Sequence, residues 1–300
     1  RATILRGGKV VATCTPREKS ARELAELMVG GEFTATDRAG RTLGHTIFEV
    51  KGLDLPPMSQ FGPALKQVSL QLRAGEVLGI GGVAGNGQEE LLATLSGERV
   101  SAPGTVLLHG QDIATLGPNE RRRLGLQAAP EERLGHAAVP DMSLTENTLL
   151  TGTVRRPLTR KGFLDMKAAK LFAEEIIRVF DVRTPGPHVA ARALSGGNLQ
   201  KYVIGREVLQ YPEVLIVNQP TWGVDAAAAA AIRQALLDLA GKGAAVIVIS
   251  QDLDELMEIA DQFCALNEGR LSAPRPTEGL SIDEIGLMLG GAHGMQEVAV

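Results

Sequence analysis

The chain has 300 residues, 44% hydrophobic and 22% charged, an ordinary composition for a soluble globular protein with room for one large domain and something smaller. Its net charge of −4 is spread over mixed signs, so no overall basic field points to DNA or RNA. Cys14 and Cys264 cannot build a disulfide framework and fit a reducing cytoplasm, and no cysteine or histidine cluster suggests a metal site. No secretory leader opens the chain, and the longest apolar stretches, such as Ala244 to Ile249, fall far short of a membrane span.

In chain order, the first feature is a repeat. Leu5-Arg-Gly-Gly-Lys-Val10 aligns with Leu266-Asn-Glu-Gly-Arg-Leu271, and Leu27-Met-Val-Gly-Gly31 with Leu287-Met-Leu-Gly-Gly291, at offsets of 261 and 260 residues. Two blocks at nearly equal offset suggest that residues 1–45 are the tail of a preceding copy and a linker, that 46–291 form the domain itself, and that 292–300 are a terminal tail. Chance similarity between two strand-plus-helix segments is the plainer alternative.

After a turn-rich stretch from Gly31 to Gly44, the segments Thr46 to Leu53, Val68 to Leu72 and Val77 to Gly81 read as strands. Gly82, Gly85 and Gly87 follow, opening a helix through Leu95. Strand, glycine loop and helix form the setting of a phosphate loop, because small residues let backbone N–H groups converge on an anion at a helix N-terminus. Pro118 starts a short helix to Leu124, and an amphipathic helix runs from Met166 to Phe180, so residues 117–195 read as a helical insertion. Beyond Ser195 come a helix at Leu199 to Leu209, a buried strand at Val214 to Val217, an alanine-rich helix at Ala226 to Leu239 and a strand at Ala244 to Ile249. This alternation predicts an α/β fold with a largely parallel, covered sheet.

A phosphate loop asks next for Lys, which neutralises phosphate charge, and for Ser or Thr, which ligates magnesium. The chain has Gln88 and Glu89 there. Glu89 can instead complement the helix dipole that a phosphate would otherwise satisfy. The strand from Val214 should end in an acidic magnesium ligand and a Glu that polarises water; Asn218 and Gln219 keep the shape and remove both functions. Each well-placed electrostatic group lost costs on the order of 10²- to 10³-fold in rate, so independent turnover is not expected. By contrast Leu194-Ser-Gly-Gly-Asn-Leu-Gln-Lys201 is complete. Ser195 is placed to cap the following helix, and Gly196 with Gly197 exposes N–H groups at its positive end, a second anion-receptive terminus.

On these residues the chain resembles the second nucleotide-binding domain of the tandem ATP-binding subunits of bacterial ABC importers for sugars or nucleosides. The match runs from Phe48 to Gly291 and rests on Gly85-Asn-Gly-Gln88, Pro130-Glu-Glu-Arg133, Leu144-Thr-Glu-Asn147, Ser195-Gly-Gly-Asn198 and Asp252-Leu-Asp-Glu255. The resemblance implies an ABC-type nucleotide-binding domain, with a mostly parallel core sheet, an antiparallel β subdomain and a helical subdomain. Two such domains sandwich ATP head to tail. The loop with Gly82, Gly85, Asn86, Gly87, Gln88 and Glu89 would be this domain's own nucleotide site, without intact catalytic residues. Glu89 and Asn218 would stand at magnesium positions, Gln219 at the base, and Gln251 where a His usually contacts the terminal phosphate.

Ser195, Gly196, Gly197 and Asn198 would act in trans on ATP, with its Mg2+, held by the preceding domain. Asp225 would lie at the same interface, and Glu131 stands where a Gln usually senses the metal and the permease. Phe61 falls near the place of an aromatic that stacks on adenine, although such a residue is more often simply packed. Trp222 departs from the pattern, and the basic run from Arg155 to Lys161 reads as a solvated loop or a partner-facing surface. Implied partners are the preceding domain of the same polypeptide, transmembrane permease subunits and, through them, a periplasmic or surface solute-binding protein, at the cytoplasmic face of the membrane and without nucleic acid. A non-transport or regulatory ABC-type ATPase is the alternative. A dinucleotide enzyme is a more distant one, suggested by Gly79-Ile-Gly-Gly-Val-Ala84.

Overall fold

A computed structural model of the chain describes residues 1–6, 9–19, 23, 27, 41–58 and 62–291. Two strands, β1 (Ala2–Arg6) and β2 (Lys9–Cys14), form a hairpin. Then follow β3 (Thr46–Leu55), β4 (Leu65–Arg73), β5 (Val77–Gly81), α1 (Gln88–Ser96), β6 (Val106–Leu108), β7 (Gln111–Asp112), α2 (Pro118–Arg123) and β8 (Leu126–Ala129). The next stretch is α3 (Leu144–Asn147), α4 (Leu149–Gly152), β9 (Thr159–Arg160), β10 (Phe163–Leu164) and α5 (Met166–Val179). The chain continues through α6 (Gly196–Val208), β11 (Val214–Asn218), α7 (Ala226–Gly241), β12 (Ala245–Ser250), α8 (Leu253–Ile259), β13 (Gln262–Asn267), β14 (Arg270–Leu271), β15 (Arg275–Pro276) and α9 (Ile282–Leu289).

The central sheet runs β14-β13-β5-β12-β11-β8, with β15 also paired to β13; the strands from β13 to β8 are mutually parallel. Every residue of β5, β11 and β12 is buried, as a sheet covered on both faces requires. Alternation within those strands divides the core. Val77, Leu215, Val217, Val246 and Val248 pack towards α5 to α8, whereas Leu78, Ile80, Ile216, Ile247 and Ile249 pack towards α1 and the antiparallel sheet β4-β3-β6-β7. The fold is therefore the three-part α/β arrangement expected: parallel core, antiparallel subdomain and a group of helices.

Two differences from the sequence reading concern boundaries. Leu126–Ala129, inside the stretch read as a helical insertion, is a strand of the central sheet beside β11. Four residues after a turn at Gly125 carry too little periodicity to separate strand from loop. The helix expected from Leu199 begins at Gly196, so the paired glycines form its first turn. Within the helical group the patterns are simple: Ala169, Phe172, Ala173 and Ile176 make one buried stripe on α5, and Asp165 accepts the Ala168 N–H at 3.0 Å to start it.

The repeated segments meet in register. In β1–β2, Leu5 pairs with Val10 and Arg6 with Lys9; in β13–β14, the positions 261 residues later pair identically, Leu266 with Leu271 and Asn267 with Arg270. Residues 28–31 of the second repeated block and the tail 292–300 lie outside the described residues.

Candidate functional site

Parallel strands present their C-terminal ends at one edge, and the pairing of Gly81 with Ser250 and of Asn218 with Ile249 brings three motifs there. The loop after β5 turns through left-handed backbone at Gly85 (φ 84°) and Gly87 (φ 115°), where a side chain would strain, and Gly87 enters α1 without a side-chain cap.

The side chain of Gln88 folds back into this loop. Its Oε1 accepts the Asn86 N–H at 3.0 Å, and its Nε2 donates to the Val83 carbonyl at 2.9 Å, in a position 7% exposed. A neutral amide oxygen thus occupies the place beside a loop N–H that an anion's oxygen would take. From outside, the β13–β14 turn latches the loop, with Glu268 N–H donating to Asn86 Oδ1 at 2.8 Å and Gly269 N–H to the Asn86 carbonyl at 2.9 Å. Glu89 is exposed in the first turn of α1, where its charge complements the helix dipole. The Glu131 carboxyl is raised from its ordinary value, first by burial and then by the charge of Glu89, against the opposing pull of Arg133.

The far end of α1 is held by Arg121, which is fully buried. It donates to the carbonyls of Thr94 at 2.6 Å, Leu95 at 2.9 Å, Ala114 at 3.0 Å and Leu116 at 3.0 Å, and burial pulls its pKa down to about 10. A cation at the C-terminus and carboxylates at the N-terminus both suit the dipole of the loop helix.

Asn218 closes β11 with its Oδ1 buried and without a hydrogen-bond partner among the described residues. Gln219, 4% exposed and at φ 51°, accepts the Gln251 N–H on Oε1 at 3.4 Å. Gln251 itself is exposed. Gln219, Ser250 and Gln251 border a cavity of about 370 Å³, which Asp252 also lines. Behind them Glu255 is buried, accepts from Ser250 Oγ at 2.8 Å and is raised by desolvation.

Ser195 occupies the N-cap position of α6, yet its hydroxyl makes no capping bond to the helix; it accepts from Asn198 Nδ2 at 2.8 Å. The expectation of a side-chain cap is therefore corrected, because a shorter local partner takes the oxygen. Asn198 Oδ1 accepts the Arg183 N–H at 2.8 Å. A separate cavity of about 720 Å³, between α6 and α7, is lined by Gly196, Gly197, Asn198, Lys201 and Asp225 among others. Asp225 also caps α7, accepting the Ala228 N–H at 2.8 Å.

Two residues without a role in the sequence reading join these parts. Arg133 Nε donates to Gln200 Oε1 at 2.8 Å and its Nη2 donates to the Trp222 carbonyl. Gln200 Nε2 donates onward to the Pro220 carbonyl at 2.8 Å. Trp222 is 62% exposed. Pairings across some seventy residues leave no local pattern, so only the motif Pro130-Glu-Glu-Arg133 marked Arg133 at all. The basic run divides: Arg155 donates to the Tyr211 carbonyl at 3.2 Å and Arg156 pairs with Glu175 over the Phe172 ring, while Arg160 and Lys161 are exposed on the β9–β10 hairpin. Phe61 lies outside the described residues.

Among the described residues no helix is long and apolar enough to cross a membrane, and no group of three or more His, Cys, Asp or Glu is placed to hold a metal ion.

The sequence is 36% identical over 294 residues to the nucleoside import ATP-binding protein NupA of Lactococcus lactis, covering 98% of this chain and 58% of that protein. It is 35% identical over 293 residues to the guanosine import ATP-binding protein NupO of Bacillus subtilis, covering 97% of this chain and 57% of that protein. The chain thus spans little more than half the length of these curated relatives. A solved ATP-binding subunit of an ABC transporter superposes with a TM-score of 0.66 at 22% identity, covering 82% of this chain and all of that one, which establishes the fold. The ABC transporter family model matches residues 65–222, more than half of the sequence, and the chain belongs to that family.

Proposed function

We propose that this chain is the second nucleotide-binding domain of an importer's ATP-binding subunit, hydrolytically impaired in its own site and supplying its Ser195-Gly-Gly-Asn198 signature to ATP on a preceding domain. The observation that carries the division of labour is Gln88: its amide satisfies the loop from within, whereas the N-terminus of α6 has no side-chain cap. Its own residues do not fit a hydrolysing Mg-ATP site. The loop N–H of Asn86 is taken, Glu89 and Glu131 put carboxylates near where phosphate would bind, and Asn218, Gln219 and Gln251 offer neither metal-binding charge nor a base. The signature side differs: free N–H groups at a helix N-terminus suit an anion brought by another domain.

The tandem arrangement is supported by the identical pairing of the β1–β2 and β13–β14 hairpins. Residues 1–45 are then the end of the first domain, 46–291 the second and 292–300 its tail. The partners are that first domain and the transmembrane permease, with a periplasmic or surface solute-binding protein acting through the permease, at the cytoplasmic face of the membrane. The solute is a sugar or a nucleoside, and the names of NupA and NupO favour a nucleoside.

The test is ATP hydrolysis by the full tandem polypeptide with its permease, with and without Gly196→Asp. A carboxylate there meets the terminal phosphate of the partner's ATP, and the rate should collapse; because a β-carbon at 196 also reaches Arg133, Gly197→Asp, whose β-carbon clears its neighbours by 3.7 Å, should collapse it equally. Unchanged hydrolysis would refute the trans-acting role and leave this domain a scaffold.

A further inference from the structure

One guanidinium connects three segments that sequence keeps apart: Pro130 to Arg133, the N-terminal part of α6, and the turn that follows β11. Its contacts to Gln200 Oε1 and to the Trp222 carbonyl use two edges of the fork at once, and Gln200 carries the connection on to Pro220. The remaining nitrogen stands at the signature itself, where a β-carbon on Gly196 would come within 2.7 Å of Arg133 Nη1. Gly223 lies close as well, with a β-carbon there 3.4 Å from Nη2. Among the described residues Arg133 makes no ion pair within 4.0 Å, and burial lowers its pKa. A cation at the N-terminus of α6 also opposes that helix's dipole. Attraction to Glu131, which raises the Arg133 pKa against burial, does not by itself set the orientation of the fork. Geometry does, because a planar fork with donors at fixed angles can hold two acceptors in register where an ammonium cannot.

We propose that Arg133 is a positioning residue that locks the signature turn and the Trp222–Asp225 turn to the segment bearing Glu131, so that a displacement at Glu131 moves both as a unit. This rests on the trans-acting reading above. Glu131 is set between Glu89, whose charge raises its pKa, and Arg133, whose charge lowers it, which places the segment at the junction of the loop helix and the signature.

Two measurements test it. Amide hydrogen exchange on the chain itself, comparing Arg133→Met with wild type, should show faster exchange at Leu199, Trp222 and Val224, whose N–H groups are hydrogen-bonded, and unchanged exchange in β5, β11 and β12. The emission of Trp222, the sole tryptophan, should shift in parallel. In the full tandem polypeptide with its permease, Arg133→Met should raise the KM for ATP on the order of tenfold with a smaller change in kcat, and Arg133→Lys should fail to restore it. Rescue by Lys would show that charge rather than the fork matters and would overturn the proposal. Unchanged exchange and emission would overturn it without any reference to turnover. If Gly196→Asp abolishes hydrolysis while Arg133→Met leaves KM unchanged, the positioning role falls and the trans-acting reading stands. If Gly196→Asp has no effect, that reading falls, and the exchange experiment alone decides whether Arg133 holds the two turns together.

Discussion

Restoring the two residues that a phosphate loop ordinarily carries, Gln88→Lys together with Glu89→Thr, should convert this loop into a site that takes ATP far more tightly. In the wild type a nucleotide must first displace the Gln88 amide from the Asn86 N–H and the Val83 carbonyl. Two hydrogen bonds of ~0.5–1.5 kcal/mol net each make that about 1–3 kcal/mol. At ~1.4 kcal/mol per tenfold, this alone is roughly 5- to 150-fold in Kd. The lysine adds charged hydrogen bonds of ~1.5–3 kcal/mol to phosphate, and the threonine removes the carboxylate that sits beside it. Together they predict at least a 100-fold gain in affinity, read by calorimetric titration of ATP into each chain with Mg2+ present. The Glu131 carboxyl should titrate lower in the double variant, since Glu89 is one of the two causes that raise it. Equal affinities in the two chains would show that Gln88 does not compete with nucleotide. Glu89→Thr alone isolates the second contribution: unchanged affinity would remove Glu89 from the account.

Two further substitutions probe what supports the site. Arg121→Met leaves four carbonyls around the end of α1 without their donor, and should destabilise the chain by about 3 kcal/mol or more by urea denaturation; a loss below about 1 kcal/mol would mean that water replaces the guanidinium. Glu255 has its pKa raised in the fold by burial, so the stability it contributes is complete below the ordinary carboxyl range near pH 4.5 and is lost as pH rises through the folded value. Glu255→Gln should flatten that part of the stability profile above pH 4.5, and an unaltered slope in urea midpoints across pH would assign it to other groups.

Much of this was legible in order along the chain. All-apolar runs such as Val214–Val217 and Ala245–Ile249, alternating with helices, read as strands of a covered sheet, because no polar face remains for solvent. A glycine loop between a strand and a helix needs no tertiary information either, nor does a segment that recurs at one domain length. Leu126–Ala129 was missed because a strand of four residues between turns has no period to read, and its neighbour in the sheet lies some ninety residues later.

Residue types also bounded the chemistry, since an amide cannot do what a lysine, an aspartate or a glutamate does. What the amides do instead was decided in three dimensions. Whether Gln88 turns outward or fills its own loop, whether the Ser195 hydroxyl caps a helix or binds Asn198, and whether Arg133 faces solvent or ties the signature to Trp222 all depend on competition among nearby donors and acceptors. Sequence determined the elements and the charges through local pattern. The partners of each polar group depend on distances between segments that only packing brings together.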